Sequence, residues 1–359
     1  MRPVHIEPLV PDLEARWEKF ATESASAGIY HSLAWREVAL EGLGHVPEHL
    51  CAVDARGEVC GILPIFRVGG IFGRRLVSVP MRDRGGPIAA SDGIAQALVA
   101  AAIDRTRELG ARYLELRGLE PLSPEILGEH PWRLSRGWLT HRLDLTPGRD
   151  ALWKALDKNS LRWSIGRARR NGLRVETDST RAGADRFHDL FVRTRCSMGI
   201  PPFPRALFRA IWAHLIQHER AQLCFVYRDG APIHGLISFF SGDTFIPAYA
   251  APQNAHRKLY GNELLIWHSI EWAADRGFRS YDFGADSVRQ EGLHFFKRKW
   301  RAVPHPMAYH SLHPRSPDGG APPDFDSSGP GYRALRALWQ RLPRALARPL
   351  GAWVTRQLS

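Results

Sequence analysis

The sequence predicts a mixed α/β (α+β) protein in which one module, a mostly antiparallel sheet flanked by helices, occurs twice. The stretch LCAVDARGEVCGILPIF at 50–66 returns as LCFVYRDGAPIHGLISFF at 223–240, and RELGARYLELRG at 107–118 returns as ADRGFRSYDFGAD at 274–286. Both pairs occur in the same order, which indicates a tandem duplication. Because ligand sites favour the clefts that fused modules create, the duplication also bears on function.

The first copy is predicted to begin with a turn and an amphipathic helix over 30–43. A hairpin follows, with strands at 50–53 and 59–66 and its turn at Arg56-Gly57. After a strand at 76–79 and a loop, Ser91 or Asp92 can cap a helix that runs to 109, where Gly110 fits its end. A strand at 113–116 completes the copy.

The second copy repeats this plan after two helical segments at 184–199 and 204–218. Its hairpin strands are predicted at 223–227 and 233–240, and the next strand at 244–250. A loop, PQNAHRKLYGN, leads to a helix over 263–276, which Gly277 ends, and to a strand at 280–283.

These patterns divide the chain into five parts. They are an N-terminal domain at 1–148, a basic connecting helix at 149–182, a C-terminal domain at 183–311, a flexible linker at 312–330 and a basic amphipathic tail at 331–359. The linker prediction rests on the Pro, Gly, Ser and Asp content of HPRSPDGGAPPDFDSSGPG.

The formal net charge of +12 and the sequence pI of about 10.0 favour anionic partners such as phosphates, nucleic acid or an acidic membrane face. A basic solubilising surface is the alternative. The four cysteines have no metal-ligand spacing, so we expect buried thiols in a reducing compartment and no metal site. No signal peptide or membrane-spanning run is visible, which predicts a cytoplasmic protein, at most peripheral at the inner face of the cytoplasmic membrane.

The most basic stretch, WKALDKNSLRWSIGRARRNGL at 153–173, lies between the copies. Arg162 is one of its six cations. The stretch is either a solvated helix between domains or an arm that contacts a phosphate-bearing ligand.

The tail contains six arginines and no acidic residue, and Trp339 and Trp353 could share an apolar side with its leucines. Pro343 and Pro349 are expected to break or kink a helix. Two interpretations stand side by side. The tail contacts a membrane interface, or it docks back on the domains.

Four segments carry a resemblance to a known family. They are HSLAW at 31–35, KNSLRWSIGRARRNGL at 158–173, the strand ADRGFRSYDFG and the following HFFKRKW at 294–300. In this order, over roughly 30–309, the chain resembles the FemAB branch of the GNAT acyltransferase superfamily. The tail segment LWQRLPRALARPLG further resembles FemAB-like proteins associated with PEP-CTERM/exosortase and exopolysaccharide loci.

The resemblance implies two GNAT-like domains and an acyltransferase. An acyl or aminoacyl group would move to an amine or hydroxyl of a phosphate-linked saccharide or peptide precursor of the cell envelope, by direct attack and without a covalent enzyme intermediate. Acyl-CoA or aminoacyl-tRNA would be the co-substrate, with no tightly bound cofactor. The alternatives are a tRNA-dependent FemAB-type aminoacyl transferase, although the long coiled-coil insertion frequent in that group is absent, and a non-catalytic scaffold. A nucleic-acid-binding module is the weakest interpretation, because no recognised binding motif is present.

The resemblance also places the acyl donor where central strands splay, beside the helix that follows a loop. Here that loop contains Arg257, Lys258, Gly261 and Asn262. A helix start can bind an anion, and the two cations add charge. The segment is one residue longer than the usual GNAT pyrophosphate pattern and has a single glycine.

For the reaction centre, Lys297 matches a lysine that FemAB-like enzymes place there, and a cation could stabilise an oxyanion or a phosphate. The alternative is a surface lysine on a strand formed by HFFKRKW. Asp282, at a strand end, is a candidate proton acceptor; a turn-forming or capping Asp is the alternative. Tyr249, on the strand before the donor loop, is a candidate donor or acceptor contact. We expect His234 to be a core histidine.

In the first copy, His31 and Trp35 match the stretch that contacts the acceptor in FemAB relatives. Arg82 and Arg84 flank Asp83 in a loop, and two arginines there could hold a diphosphate. The alternative is a solvated loop. No loop comparable to the donor loop precedes the helix of this copy, so we expect it to serve the acceptor or the structure.

Overall fold

The computed structural model describes residues 4–70, 73–314 and 330–357, the side chains of 330–334 excepted. The chain divides into two compact units. Unit 1 comprises Met1–Trp138, Pro306–Phe325 and Arg356–Ser359, and unit 2 comprises Leu139–His305 and Asp326–Thr355. The connecting helix and most of the tail therefore cluster with the second copy. The flexible linker expected at 312–330 lies almost wholly outside the described residues.

The elements of the N-terminal half are, in chain order, β1 (Val4–Pro8), α1 (Glu14–Glu23), α2 (Leu33–Leu43), β2 (Val46–Pro47), β3 (Leu50–Asp54), β4 (Val59–Leu63), β5 (Phe66–Val68), β6 (Arg75–Val77), β7 (Ile88–Ala89), α3 (Asp92–Glu108), β8 (Leu114–Gly118), α4 (Pro124–Leu127) and β9 (Arg133–Ser135).

The remaining elements are β10 (Trp138–Asp144), α5 (Arg149–Ala155), α6 (Trp163–Arg170), β11 (Arg174–Thr177), α7 (Arg181–Met198), α8 (Arg205–Ile211), β12 (Ala221–Arg228), β13 (Ala231–Ser241), β14 (Thr244–Ala250), α9 (Gly261–Asp275), β15 (Ser280–Asp282), β16 (Asp286–Ser287), α10 (Glu291–Lys299), β17 (Val303–Pro306), β18 (Ala308–Leu312), α11 (Pro330–Arg341) and α12 (Arg344–Gln357). Two π-helical segments, Lys158–Arg162 and Trp212–Ile216, precede α6 and follow α8.

Unit 1 contains two sheets, in the strand orders β1-β3-β4-β7 and β2-β5-β6-β8-β18-β9. The strand predicted over 59–66 is divided between them, because β4 ends at Leu63 and β5 begins at Phe66. Pro64 lies in the gap and has no N–H to donate to a ladder, which explains the break.

Unit 2 is built on one large sheet in the order β11-β12-β13-β14-β15-β10-β16, with β17 beside β10. Its central pair, β14 and β15, is parallel, and β10 runs antiparallel beside β15. Unit 1 repeats this arrangement with β6, β8 and β18. The tandem mixed α/β fold is therefore confirmed.

The strand beside each parallel pair comes from the other half of the sequence. β10 precedes the second copy yet joins its sheet, and β18 follows the second copy yet joins the sheet of the first. This exchange explains why the units divide at Trp138–Leu139 and Pro306 rather than at 148 and 311.

The long helix of each copy packs on its sheet. In unit 1, Leu98 and Ala102 of α3 lie in one core with Leu114 of β8, and in unit 2, Trp267 and Ile270 of α9 lie in one core with Tyr281 of β15. The tail forms α11 and α12. Pro343 separates them as expected, whereas Pro349 lies inside α12. Across the described helices, none combines the length and apolarity that a membrane crossing needs.

Candidate active site

The two central strands of unit 2 separate soon after they meet. β14 and β15 pair only at Thr244 with Ser280 and at Phe245 with Tyr281, although β14 continues to Ala250. The pairing with β13 shifts between Ile237 and Ser238, which leaves Ala248 as an extra residue and forms a bulge in this part of β14. The strands therefore splay next to Asp282, the last residue of β15.

Asp282 is fully buried, and three groups hold its carboxylate. Thr140 and the backbone N–H of Gly284 (2.9 Å) donate to Oδ1, and Arg142 Nε donates to Oδ2 at 3.0 Å. These contacts connect the carboxylate to β10 and to the turn that follows β15. The hydrogen bond from Gly284 N–H agrees with the alternative of a turn-forming Asp, and proton acceptance by Asp282 stays a prediction.

Lys297 lies on helix α10 and is only 6% exposed. Its Nζ donates to the carbonyl of Gly284 at 2.6 Å and forms an ion pair with Asp286. An ammonium group has three N–H donors, so one donor remains after these two contacts. The alternative for Lys297, a surface lysine on a strand, does not agree with the structure. Lys297 is buried on a helix, and its Nζ contacts the chain just after the end of β15.

Two histidines beside Lys297 were missed by the sequence analysis. His294, one turn earlier on α10, lies with Nε2 2.9 Å from the carbonyl oxygen of Ser287. A carbonyl accepts only, so Nε2 carries the hydrogen and the lone pair is on Nδ1. That Nδ1 is buried and has no hydrogen-bond partner among the described residues.

His141 of β10 stacks on His294, with ring centroids 5.1 Å apart and planes inclined by 24°. It is fully buried, and within the described part of the chain neither ring nitrogen has a hydrogen-bond partner. Burial, and next the charge of Lys297, lower its pKa from 6.5 to about 4. His141 is therefore neutral near pH 7 and shields His294 from water.

The four predicted donor-loop residues meet at the start of α9. Arg257 and Lys258 are exposed on a 3₁₀-helical turn, Asn254–Leu259, and the helix begins at Gly261, followed by Asn262. A Cβ on Gly261 would lie 2.4 Å from the His234 ring, so only glycine allows this approach. His234 itself is buried, as expected. Because no side chain caps α9, its first N–H groups are available to a ligand.

The basic connecting arm lies beside this loop. Trp163 of α6 packs edge-to-face against Tyr260, with ring centroids 5.3 Å apart, yet 48% of it is exposed. Arg162, immediately before it, ends the π-helical segment Lys158–Arg162, and its buried Nε has no hydrogen-bond partner in the described structure. Single π-helical turns frequently mark functional sites. The arm thus adds an aromatic surface and a cation to the donor region.

A cavity of about 270 Å³ lies between the arm and the end of α10, lined by Asp157, Ser160, Leu161, Arg298, Lys299 and Arg301. Three cations against one carboxylate give it positive character. A larger cavity of about 440 Å³ lies in unit 1 beside His45 and Arg67, but none of the residues predicted for function lines it. The smaller cavity is therefore the candidate for ligand binding, because two of its lining residues lie on α10, the helix that carries Lys297.

Tyr249 differs from its prediction. It is buried among aromatic rings, with centroid distances of 5.4–6.1 Å to Phe191, Phe203, Phe208 and Phe239. A side chain in this position supports the core and offers no surface to a substrate.

The four predicted residues of unit 1 form a cluster of their own. His31 Nε2 donates to the Gly86 carbonyl (3.1 Å), and Nδ1 accepts from Gly28 N–H (3.2 Å). The guanidinium of Arg82 lies 5.8 Å above the Trp35 ring, and Arg84 pairs with Asp83 at 3.0 Å. His31 and Trp35 are buried, so they support the loop, whereas the half-buried arginines stay candidates for an acceptor phosphate.

Residues 157–298 match the family model described as an acetyltransferase (GNAT) domain. This segment contains the arm, the splayed strands, the donor loop, Asp282 and Lys297. The chain therefore contains a GNAT-type acetyltransferase domain at 157–298, which supports an acyl-transferring activity. Among His, Cys, Asp and Glu of the described residues, no group of three or more could hold a metal ion.

Solved structures share the fold at low identity. The structure of FemX is 15% identical, with a TM-score of 0.65 over 85% of this chain and 96% of that chain. A tandem GNAT protein from the clavulanic acid biosynthesis pathway is 13% identical (TM-score 0.54, 88% and 100% covered). L-PGS from Bacillus licheniformis is 12% identical (TM-score 0.57, 94% and 99% covered). No curated protein matches the chain.

Proposed function

We propose that unit 2 transfers an acyl or aminoacyl group from a phosphate-bearing donor to an amine or hydroxyl of a phosphate-linked saccharide or peptide precursor of the cell envelope. One observation carries the proposal. A GNAT domain matches 157–298, and within it the splayed strands end beside a buried lysine and a histidine with an unpartnered basic nitrogen.

The roles follow from the contacts. The attacking amine or hydroxyl gives its proton to His294 Nδ1, while Nε2–H stays bound to the Ser287 carbonyl. The free N–H of Lys297 donates to the oxyanion that forms on the acyl carbonyl, and Asp286 fixes that ammonium. Collapse of the oxyanion expels the donor's leaving group, which takes up a proton, so no covalent enzyme intermediate is needed.

Two donors fit the loop at the start of α9. Arg257, Lys258 and the uncapped N–H groups suit the phosphates of acyl-CoA, and GNAT domains use acyl-CoA as co-substrate. Aminoacyl-tRNA is the second candidate, favoured by the exposed Trp163 and the basic arm and by the fold similarity to FemX.

The cationic cavity beside α10 supports a phosphate-linked acceptor, because it opens next to the helix that carries Lys297. The sequence resemblance to exopolysaccharide-associated proteins favours a saccharide. The C-terminal domain of a putative lysylphosphatidylglycerol synthetase from Agrobacterium fabrum has a similar fold, which keeps a lipid-linked acceptor among the candidates. All of these acceptors suit a cytoplasmic enzyme at the membrane face.

Calorimetric binding of acetyl-CoA, of aminoacylated tRNA and of uncharged tRNA, each at two salt concentrations, tests the donor. Tight acetyl-CoA binding defines an acyl-CoA enzyme, and preference for aminoacylated over uncharged tRNA defines an aminoacyl transferase. Binding of none of the three contradicts both donor assignments and favours the scaffold.

The double variant Lys297→Met/Asp286→Asn then separates catalysis from scaffolding. It removes the cation together with its counter-charge, so the fold is retained. Transfer should disappear if the protein is an enzyme, whereas polysaccharide production in cells should continue if it is only a scaffold.

A further inference from the structure

The two tail helices dock on unit 2 through one face. Trp339 (5% exposed) and Ala347 share a small core with Val192 and Cys196 of α7. Polar contacts fix the docking, since Arg336 donates to the Met198 carbonyl (3.1 Å) and Arg348 pairs with Asp189 (2.9 Å).

The fit between these helices and the domain is close. A Cβ on Gly351 would lie 2.3 Å from Cδ of Pro202, and a Cβ on Gly199 would lie 2.6 Å from the Arg336 carbonyl. The tail is therefore a fixed part of unit 2. The sequence left two interpretations open for the tail, docking on the domains and contact with a membrane. The docking contacts use only the inner face of the two helices, so the outer face is available for another contact.

The outer face of the same helices is apolar and exposed. On α11 it consists of Leu335 and Leu338 (59% exposed), and on α12 of Leu346, Leu350 and Trp353 (51% exposed). The α12 residues follow each other at intervals of four and three, which places them on one side of the helix. We call these five residues the outer apolar face.

The charges around the outer apolar face all have one sign. Residues 330–357 contain six arginines and no Asp or Glu. Arg341 and Arg344 lie at the junction of the helices and are exposed, as are Arg336 and Arg348. Leucines and a tryptophan between arginine side chains can enter the headgroup region of a bilayer while the guanidinium groups reach lipid phosphates.

We propose that the outer apolar face of α11 and α12 binds the surface of an anionic lipid bilayer. A bilayer is favoured over an acidic protein because five large apolar side chains are exposed together with arginines, and because residues 330–357 carry no acidic side chain. The contact is interfacial, with the helices lying in the headgroup region. It would hold unit 2 at the membrane without help from the acyl donor or acceptor.

Co-sedimentation of the full-length protein with vesicles tests the proposal. One set contains phosphatidylcholine alone, and the other contains phosphatidylcholine with phosphatidylglycerol. We expect binding to the second set, weakened by salt. Leu338→Glu and Trp353→Glu should each reduce this binding about tenfold or more. Leu134→Glu, at an exposed leucine of β9, is the matched control and should bind as the parent does.

Thermal unfolding of each variant verifies that docking through Trp339 is intact. Failure of the parent protein to bind anionic vesicles, or equal binding by Leu338→Glu and the parent, would overturn the proposal. Sedimentation equilibrium adds a further criterion: a parent dimer that Leu338→Glu dissociates would assign the face to a second copy instead. None of these results depends on the transferase activity, so the two proposals can fail separately.

Discussion

The two copies differ in the contacts made near the end of the central strand, which is β8 in unit 1 and β15 in unit 2. In unit 1, Arg117 follows Glu115 by two residues, pairs with it at 2.5 Å, and donates to the carbonyls of Val79 (3.1 Å) and Arg82 (2.8 Å). In unit 2, Gly284 follows Asp282 by two residues and takes the place of the arginine. The cation at this position is instead Lys297 of α10, which donates to the Gly284 carbonyl. The first arrangement commits three of the five N–H donors of its arginine to groups of unit 1. In the second, Lys297 has two contacts among the described residues, which leaves one of its three N–H donors for a ligand.

The helix that precedes this strand, α3 in unit 1 and α9 in unit 2, also differs between the copies. Ser91 Oγ caps α3 by accepting from Ile94 N–H (3.4 Å), and Asp92 lies in its first turn. The start of α9 has no side-chain cap and follows two exposed cations. Each helix has one acidic residue in its first turn, Asp92 in α3 and Glu263 in α9, so the cap is what differs. Because Ser91 already occupies an N–H group at the start of α3, an anion site is less favourable in unit 1. The comparison supports the proposal that the chemistry belongs to unit 2 and that unit 1 has a supporting role.

The largest effect is expected from His294→Asn. The amide can still donate to the Ser287 carbonyl but has no basic nitrogen, so transfer should fall by about 10²–10⁴-fold. The rate is measured with the donor identified by calorimetry, across pH, with added imidazole as a rescue. Donor affinity should stay unchanged. A rate near that of the parent protein would remove His294 from the reaction and return proton acceptance to Asp282.

The corresponding change in unit 1, Arg117→Met, should act on stability instead. It leaves the carboxylate of Glu115 buried without its partner, which costs about 3–5 kcal/mol of unfolding free energy. Denaturant unfolding measures the loss. The double variant Glu115→Gln/Arg117→Met should recover part of it. If Arg117→Met lowered donor affinity while stability held, the structural role of unit 1 would be incorrect.

The pH dependence of unfolding distinguishes a histidine of each copy. Burial lowers the pKa of both His31 and His141 from 6.5 to about 4. Between these values the unfolded chain binds more protons, so stability falls as pH falls from about 6.5 towards 4, by up to about 1.4 kcal/mol per pH unit for each histidine. Unfolding free energies from pH 8 to pH 4 give this slope.

The two histidines differ at neutral pH. His141→Phe should flatten the slope with little loss of stability there, because among the described residues its nitrogens have no partners. His31→Phe should flatten the slope but also destabilise at neutral pH, since the contacts with Gly86 and Gly28 are lost. If both variants lost the same unfolding free energy at neutral pH, the hydrogen bonds assigned to His31 would not contribute to stability, and the contrast with His141 would be wrong.

Most of the fold could be predicted from the sequence because it depends on local patterns. Alternating apolar residues gave the hairpin of each copy, and Ser91 gave the start of α3. The exchange of β10 and β18 between the halves could not be predicted. Strand pairing across such distances depends on side-chain packing that no short segment of the sequence reveals.

For the candidate site, the sequence allowed candidate residues to be chosen by their chemistry, but not the elements and neighbours around each of them to be predicted. The structure places Lys297 in a buried position on α10 and the donor-loop cations on an exposed turn before α9, and their roles stay predictions. His294 was missed even though it lies one turn before Lys297 in HFFKRKW, because the segment was taken for a strand rather than for α10. Tyr249 was predicted to contact the donor or acceptor but lies in an aromatic core. The alternation of residues along a strand does not show which of its two faces packs against that core.

The smallest effects concern the two helix starts. Arg257→Ala should weaken donor binding about tenfold and lower its salt dependence, because a phosphate contact is lost. Ser91→Ala should reduce unfolding stability by about 1 kcal/mol and leave donor binding unchanged, because α3 loses only its cap. Calorimetry and denaturant unfolding are measured on both variants. Weaker donor binding in Ser91→Ala alone would locate the donor in unit 1 and reverse the assignment of the two copies.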